Sequence, residues 1–303
     1  MERGIRKSVA VAIVALGLML LAVLPARAEP RNAVRAERVS FMSADGEHQI
    51  TGYLFSPARS EGRHPAIVML HGRGGAYSSL ANGKYDASTL AKRHKMWGRI
   101  WADRGYSALM VDDFGPVGFP GGFKRGTYKD RPEAVDEVYK RPLHAYGALA
   151  WLRTRADIDP DRIGLMGWSN GGSATLAAMG DDNPAALTAH GFRAAAALYP
   201  GCGLKQRFKA RGYKPYAPVL VLIGTADEEV SLKLCEKLVA QSSAKGGEIA
   251  LVIYKGATHS FDTPTQSRQS APGNGKAAVD AIKRIQTWFD DMFARKDAAP
   301  PQP

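Results

Sequence analysis

The chain has 303 residues, 45% of them hydrophobic, with 41 Lys and Arg against 29 Asp and Glu for a net charge of +12. This length and apolar share suit one α/β domain and exclude a chain too polar to bury a core. Lys and Arg are spread along the chain without runs that interleave aromatics, which argues against nucleic acid and describes a solvated basic surface suited to anionic substrates or envelope polymers.

The first element is expected to be a cleaved export signal over residues 1–28. Arg3, Arg6 and Lys7 give a basic start, Val9 to Leu24 an apolar run, and Ala26-Arg27-Ala28 a small-x-small cleavage site. A membrane anchor is the alternative, but the run is short for a span and stops at Pro25, so no stable span is expected after cleavage. Removing this segment takes away four cations against one anion, Glu2, and leaves a charge of +9. The protein is thus expected in the periplasm or outside the cell, as one domain over 29–297 with a disordered Ala/Pro-rich tail over 298–303.

Residues 34–43 and 48–56 predict a hairpin turning at Asp45-Gly46. Ala66–Leu70 is a continuous apolar run, as a strand buried on both faces should be. A helix over 87–104, a strand over 106–111, a Gly- and Pro-rich loop over 114–131 and a long helix over 132–156 follow. A strand over 162–167 leads into Gly167-Trp168-Ser169-Asn170-Gly171-Gly172 and a helix from Ser173. Strands over 193–199, 219–224 and 249–254 alternate with helices over 230–245 and 276–296. Eight strands in this alternation imply a mainly parallel sheet with helices on both faces. Ligands then bind at the carboxyl ends of the strands.

Gly-x-Ser-x-Gly between a strand and a helix is the signature of a nucleophile elbow. Small residues two before and two after the serine let strand and helix approach, and the hydroxyl is pushed out at the top of the sheet. A serine needs a base, and the base needs an acid to fix its tautomer. Asp227 follows the 219–224 strand and His259 the 249–254 strand, in the order Ser, acid, His. Glu228 and Glu229 are rivals to Asp227, which comes first after the turn and could also cap the next helix. His190 precedes a strand and sits at the wrong end. For the oxyanion, the N–H of Asn170 and one from the turn His71-Gly72-Arg73-Gly74-Gly75 are expected, with Arg73 first and Gly74 its rival. His71 reads as structural. Trp168, Phe114 and Arg125 are candidate substrate contacts, the loop of the last two walling the acyl pocket without room for a large lid.

No His-x-x-x-His, Cys-x-x-Cys, phosphate loop or dinucleotide fingerprint is present, so neither metal nor cofactor is expected. Asp112-Asp113 reads as a strand end whose carboxylate bonds loop N–H groups. Cys202 and Cys235 are the only cysteines and would lie near one rim of the sheet, which favours a disulfide over two free thiols.

The chain resembles the α/β-hydrolase fold and, within it, the dienelactone hydrolase family. The resemblance rests on Leu70-His71-Gly72-Arg73-Gly74-Gly75, the elbow, Tyr199-Pro200-Gly201-Cys202, Gly224-Thr225-Ala226-Asp227 and Tyr254-Lys255-Gly256-Ala257-Thr258-His259-Ser260-Phe261. It implies Ser169, Asp227 and His259 as triad and Arg73 and Asn170 as oxyanion donors. The name-giving members carry cysteine at the elbow, and this chain has Ser169. Arg73, Arg125 and Arg268 are candidates to bind a substrate anion. The expectation is a serine hydrolase of small or soluble carboxylic esters. The alternatives with the same triad are a lactone hydrolase of the dienelactone type, an envelope acyltransferase and a peptidase.

Overall fold

The computed structural model describes Met1, residues 36–59 and residues 62–295. The leader expected over 1–28, Met1 aside, and the tail expected over 298–303 lie outside the described residues.

The strands are β1 (Ala36–Met42), β2 (Gln49–Phe55), β3 (His64–Leu70), β4 (Ser107–Asp112), β5 (Ile158–Trp168), β6 (Ala195–Leu198), β7 (Val219–Gly224) and β8 (Ile249–Tyr254). The helices are α1 (Lys92–Asp103), α2 (Arg141–Arg153), α3 (Asn170–Met179), the single turn α4 (Ala185–Thr188), α5 (Leu232–Ser243), the single turn α6 (Gln266–Gln269) and α7 (Asn274–Ala294). The strands form one sheet of eight in the order β1-β2-β4-β3-β5-β6-β7-β8. β1 and β2 are antiparallel, and β4 through β8 run parallel to β3 and to one another.

β3, β4 and β7 are buried at every residue, which their unbroken apolar runs require between two helical layers. α1 and α7 share one face, where Trp101 meets Phe289 edge-on at 5.6 Å. Phe289 lies over Gly164 of β5, and a β-carbon there would stand 2.3 Å from the ring. α2 and α3 pack together on the other face, where Tyr146 donates to the Ala178 carbonyl at 2.6 Å.

Two predicted helices are shorter in the structure. The segment over 87–104 splits because Asp86 and Thr89 close a capping box on a short turn, after which Leu90 leaves helical angles and bridges Tyr77. The helix expected over 132–156 begins only at Arg141. Asp136 accepts the Val138 and Tyr139 N–H groups at 2.7 and 3.0 Å, which winds that stretch into turns. Pro142 then sits in the first turn of α2, where its missing N–H costs nothing. β5 instead runs longer than expected, back to Ile158.

Cys202, just past β6, and Cys235 of α5 form a disulfide across a sequence separation of 33 residues. Closing a loop of that length removes about 3–4 kcal/mol of unfolded-chain entropy. Chemical denaturation of the Cys202→Ser/Cys235→Ser variant should show a loss of that order. An unchanged midpoint would mean the crosslink contributes nothing. Among the described residues no helix is long and apolar enough to cross a membrane.

Candidate active site

The elbow is where β5 stops and α3 starts with no residue to spare. Ser169 stands between them at φ 54° and ψ −116°, a left-handed conformation that costs a non-glycine residue about 1–3 kcal/mol. The flanking glycines are there for space. A β-carbon on Gly167 would lie 2.3 Å from the Gly171 carbonyl oxygen, and one on Gly171 would lie 2.2 Å from the Leu70 carbonyl oxygen. The Ser169 N–H donates to the Leu198 carbonyl at 2.9 Å, tying the elbow to β6.

His259 reaches this serine from beyond β8. Its Nε2 is 2.8 Å from Ser169 Oγ, and its Nδ1 is 2.9 Å from Asp227 Oδ2. The carboxylate can only accept, so it fixes the tautomer with Nδ1–H, which leaves Nε2 to accept from the serine. Asp227 is itself fixed, because its Oδ1 accepts the N–H groups of Glu229 and Val230 at 2.9 Å. α5 starts later, capped by Ser231. Glu228 accepts the His259 backbone N–H at 2.9 Å, and Glu229 Oε2 lies 3.9 Å from His259 Nε2. Asp227 and Glu228 therefore hold the histidine from two sides, and Glu229 stands near its Nε2 without bonding it. His190 lines a depression of about 830 Å³ at the amino ends of the strands, opposite the elbow.

The residues of the two expected oxyanion donors, Arg73 and Asn170, line the same cleft as the serine. Asn170 opens α3, so its N–H has no acceptor within the helix. Arg73 belongs to the turn after β3, which closes through a Gly75 N–H bond to the Gly72 carbonyl at 3.1 Å. The neighbouring loop nests tightly against it. Gly122 is at φ +66°, and a β-carbon there would stand 2.2 Å from Gly74. The Arg73 guanidinium is spread over the Glu229 carboxylate, with Nε to Oε2 at 3.2 Å and Nη2 to Oε1 at 3.0 Å.

A buried polar network that local sequence did not reveal supports this turn. Arg141 is fully buried and donates to Asp113 Oδ2 at 2.7 Å, to the His71 carbonyl at 2.8 Å and to Asn170 Oδ1. His71 Nε2 faces Asp113 Oδ1 at 2.8 Å, in line with its expected structural role. Burial pushes the Asp113 carboxyl up, but Arg141, His71 and His144 outweigh it and hold it well below the usual carboxylate range. The strand-end pair is divided. Asp112 bonds the Gly115 N–H and the Tyr77 hydroxyl, as a loop-stabilising carboxylate should, whereas Asp113 pairs with a buried cation.

Two expected substrate contacts are corrected. Trp168 is fully buried, and its Nε1 donates to Asp262 Oδ2 at 2.9 Å, so its ring packs beneath the elbow. Phe114 is also fully buried, set edge-on to His71 at 4.4 Å with Arg141 over its face. Both side chains point into the protein. Arg125 does line the cleft at Ser169, and its guanidinium donates to the Glu228 carbonyl at 2.6 Å. Arg268 pairs with Glu228 at 3.2 Å.

That cleft holds about 720 Å³ and is lined by Ser169, Asn170, Arg73, Arg131, Glu229 and Leu204, among others. The far part of the 114–131 loop contributes Arg125, Tyr128 and Arg131 to its wall, as expected of the loop if not of Phe114. Tyr199, at the strand end Tyr199-Pro200-Gly201-Cys202 but without a role assigned from sequence, also belongs to the site. It stands at φ 39°, sets its ring against His259 at 4.7 Å and donates to Asp262 at 2.5 Å. The Tyr199-Pro200-Gly201 strand end was the available signal. Among the described residues, Asp45, Glu47 and His48 have metal-ligand proximity, but Lys140 pairs with both acids.

An eight-stranded, mostly parallel sheet carrying a serine on such an elbow, with an acid and a histidine after two later strands, defines the α/β-hydrolase fold. The chain matches the family model of the dienelactone hydrolase family over residues 50–293, and it belongs to that family. It is 24% identical over 287 residues to the "uncharacterized peptidase YuxL" of Bacillus subtilis (strain 168), a match covering 84% of this chain and 38% of that one. The chain therefore spans well under half of that relative. In fold it is similar to a putative dienelactone hydrolase from Klebsiella pneumoniae, with a TM-score of 0.62 at 18% identity over 84% of this chain and 99% of that one. It is likewise similar to Thermogutta terrifontis esterase 2 phosphorylated by paraoxon, with a TM-score of 0.58 at 18% identity over 88% of this chain and 96% of that one.

Proposed function

We propose that this protein is an exported serine hydrolase that cleaves carboxylic esters of small or soluble substrates through an acyl-enzyme. The observation that carries this reading is His259 bridging Ser169 Oγ at 2.8 Å and Asp227 at 2.9 Å. Ser169 Oγ attacks the ester carbonyl while His259 Nε2 takes its proton. The N–H groups of Arg73 and Asn170 receive the charge that develops on the carbonyl oxygen. His259 returns the proton to the leaving alcohol, and water repeats the sequence on the acyl-enzyme. Asp227 stabilises the imidazolium without taking the proton.

Export is supported by the leader pattern over 1–28 and by the disulfide, which suits an oxidising compartment. The proposed mature protein is one domain over 29–297. A second reading, cleavage of peptide amides, has the peptidase relative in its favour.

A fluorophosphonate probe should label Ser169 and block turnover of p-nitrophenyl esters. A panel of acyl chain lengths should show the short esters turned over faster than the long ones and faster than the matching p-nitroanilides. Labelling at another residue overturns the mechanism, and faster anilide cleavage overturns the choice of ester.

A further inference from the structure

Glu229 has a position that pairing with Arg73 alone does not account for. It lines the same cleft as Ser169. Its Oε2 lies 3.9 Å from His259 Nε2, the nitrogen that faces Ser169 Oγ. That separation is too long for a direct hydrogen bond, yet a single water can reach both atoms with legs of about 2.8 Å. The carboxylate cannot swing away, because Arg73 grips both oxygens at 3.0 and 3.2 Å.

We propose that Glu229 holds and orients the water that hydrolyses the acyl-enzyme, and thereby commits the site to hydrolysis over acyl transfer. This rests on the acyl-enzyme reading above. Once Ser169 Oγ is bonded to the acyl carbon, Nε2 needs a new proton donor. A water between Nε2 and Oε2 points one hydrogen at each, which leaves a lone pair for the acyl carbon. As its oxygen bonds that carbon, Nε2 takes the first proton. The carbon–Oγ bond then breaks, and His259 returns the proton to Ser169. Glu229 accepts a hydrogen bond from the second hydrogen throughout and takes no proton. Burial pushes its carboxyl up, but the Arg73 hydrogen bonds and the charges of His259, Arg73 and Arg125 outweigh it and hold it below the usual value, so it is an anion at neutral pH. An alcohol has one hydroxyl hydrogen. With that hydrogen on Nε2, an alcohol has none left for Glu229, so the carboxylate does not hold or orient it as it does water. The site therefore favours water over alcohols by chemistry.

Pre-steady-state kinetics with p-nitrophenyl acetate separate the two half-reactions. In Glu229→Gln the deacylation rate constant should fall about ten- to a hundredfold, the worth of a hydrogen bond to a charged group. The acylation rate constant should stay within about threefold, so a p-nitrophenol burst near one per site appears. Glu229→Ala should behave alike, with formate restoring part of the deacylation rate. Equal losses in both phases would mean that Glu229 only positions the Arg73 turn, and no loss would mean that it does nothing. Either result overturns the proposal. In the unaltered protein, methanol at about one molar should neither raise the steady rate nor give much methyl acetate. Abundant methyl ester there overturns the proposal even if the variants fail to fold. Ser169→Ala run in parallel keeps the two readings apart, since activity surviving in that variant removes the acyl-enzyme itself.

Discussion

Ser169→Ala is expected to lower kcat for a p-nitrophenyl ester by about four to six orders of magnitude. The change removes the one atom that His259 Nε2 addresses at 2.8 Å and leaves the rest of the site in place. Alanine must adopt the same left-handed angles as serine, so the backbone strain is unchanged, and the Ser169 N–H bond to Leu198 persists. Folding stability should therefore stay within about 1 kcal/mol of the parent. A residual rate above that of water should survive through the proposed oxyanion donors. Asp227→Asn should cost roughly as much, because an asparagine can present its amide to Nδ1 and favour the wrong tautomer. Steady-state kinetics on both variants check this, and a near-normal rate in Ser169→Ala would sink the assignment.

The second large effect concerns stability. Arg141 and Asp113 are both fully buried and meet at 2.7 Å. Such a pair gains little over apolar residues of equal size, but removing one member strands the other charge at about 3–5 kcal/mol. Arg141→Met and Asp113→Leu should each cost that much in urea denaturation, and the double variant should recover only part of it, because His71 and Asn170 also lose buried partners. The double variant should still lose ester turnover, since Arg141 also anchors the His71 carbonyl and the Asn170 side chain beside the oxyanion donors. The pH dependence has a definite sign. Asp113 is held well below its ordinary value in the folded state. Its contribution is thus fully present above the unfolded value near ~3.9 and is lost as pH falls below it toward the folded value. The parent should lose stability below about pH 4 more steeply than the double variant, and parallel curves would contradict the assignment.

How much of this was legible in the sequence follows from the range of each signal. The strands were readable because burial on both faces forces unbroken apolar runs such as Ile67–Leu70 and Val219–Ile223. The meeting of Ser169, Asp227 and His259 was readable because each lies within five residues of a strand end, and parallel strands all end on one side. The start of α2 was not, because a side-chain bond at Asp136 overrode a helical periodicity that continued past it. The orientations of Trp168 and Phe114 were not, since a place next to the nucleophile or in a loop past a strand end says nothing about which way a ring faces. The Arg141 network was hidden by distance along the chain, its partners lying 28, 29 and 70 residues away. Glu228 and Glu229 were visible only as competitors for one role, whereas the structure gives each of the three acids its own place beside His259.

The sheet also dictates how the molecule can be attached to anything else. Ala36 opens β1 level with Phe55 of β2, which pairs with Ala108 at the start of β4. Arg295, just past α7, bonds Glu248 ahead of β8 and Arg193 ahead of β6. Both ends of the described domain therefore emerge at the amino ends of the parallel strands, while Ser169 emerges at their carboxyl ends. A fusion partner, an affinity tag or a solid support joined at Ala36 or Arg295 attaches on the side of the sheet away from the cleft. Display or immobilisation should then preserve access for esters carried on bulky or polymeric carriers.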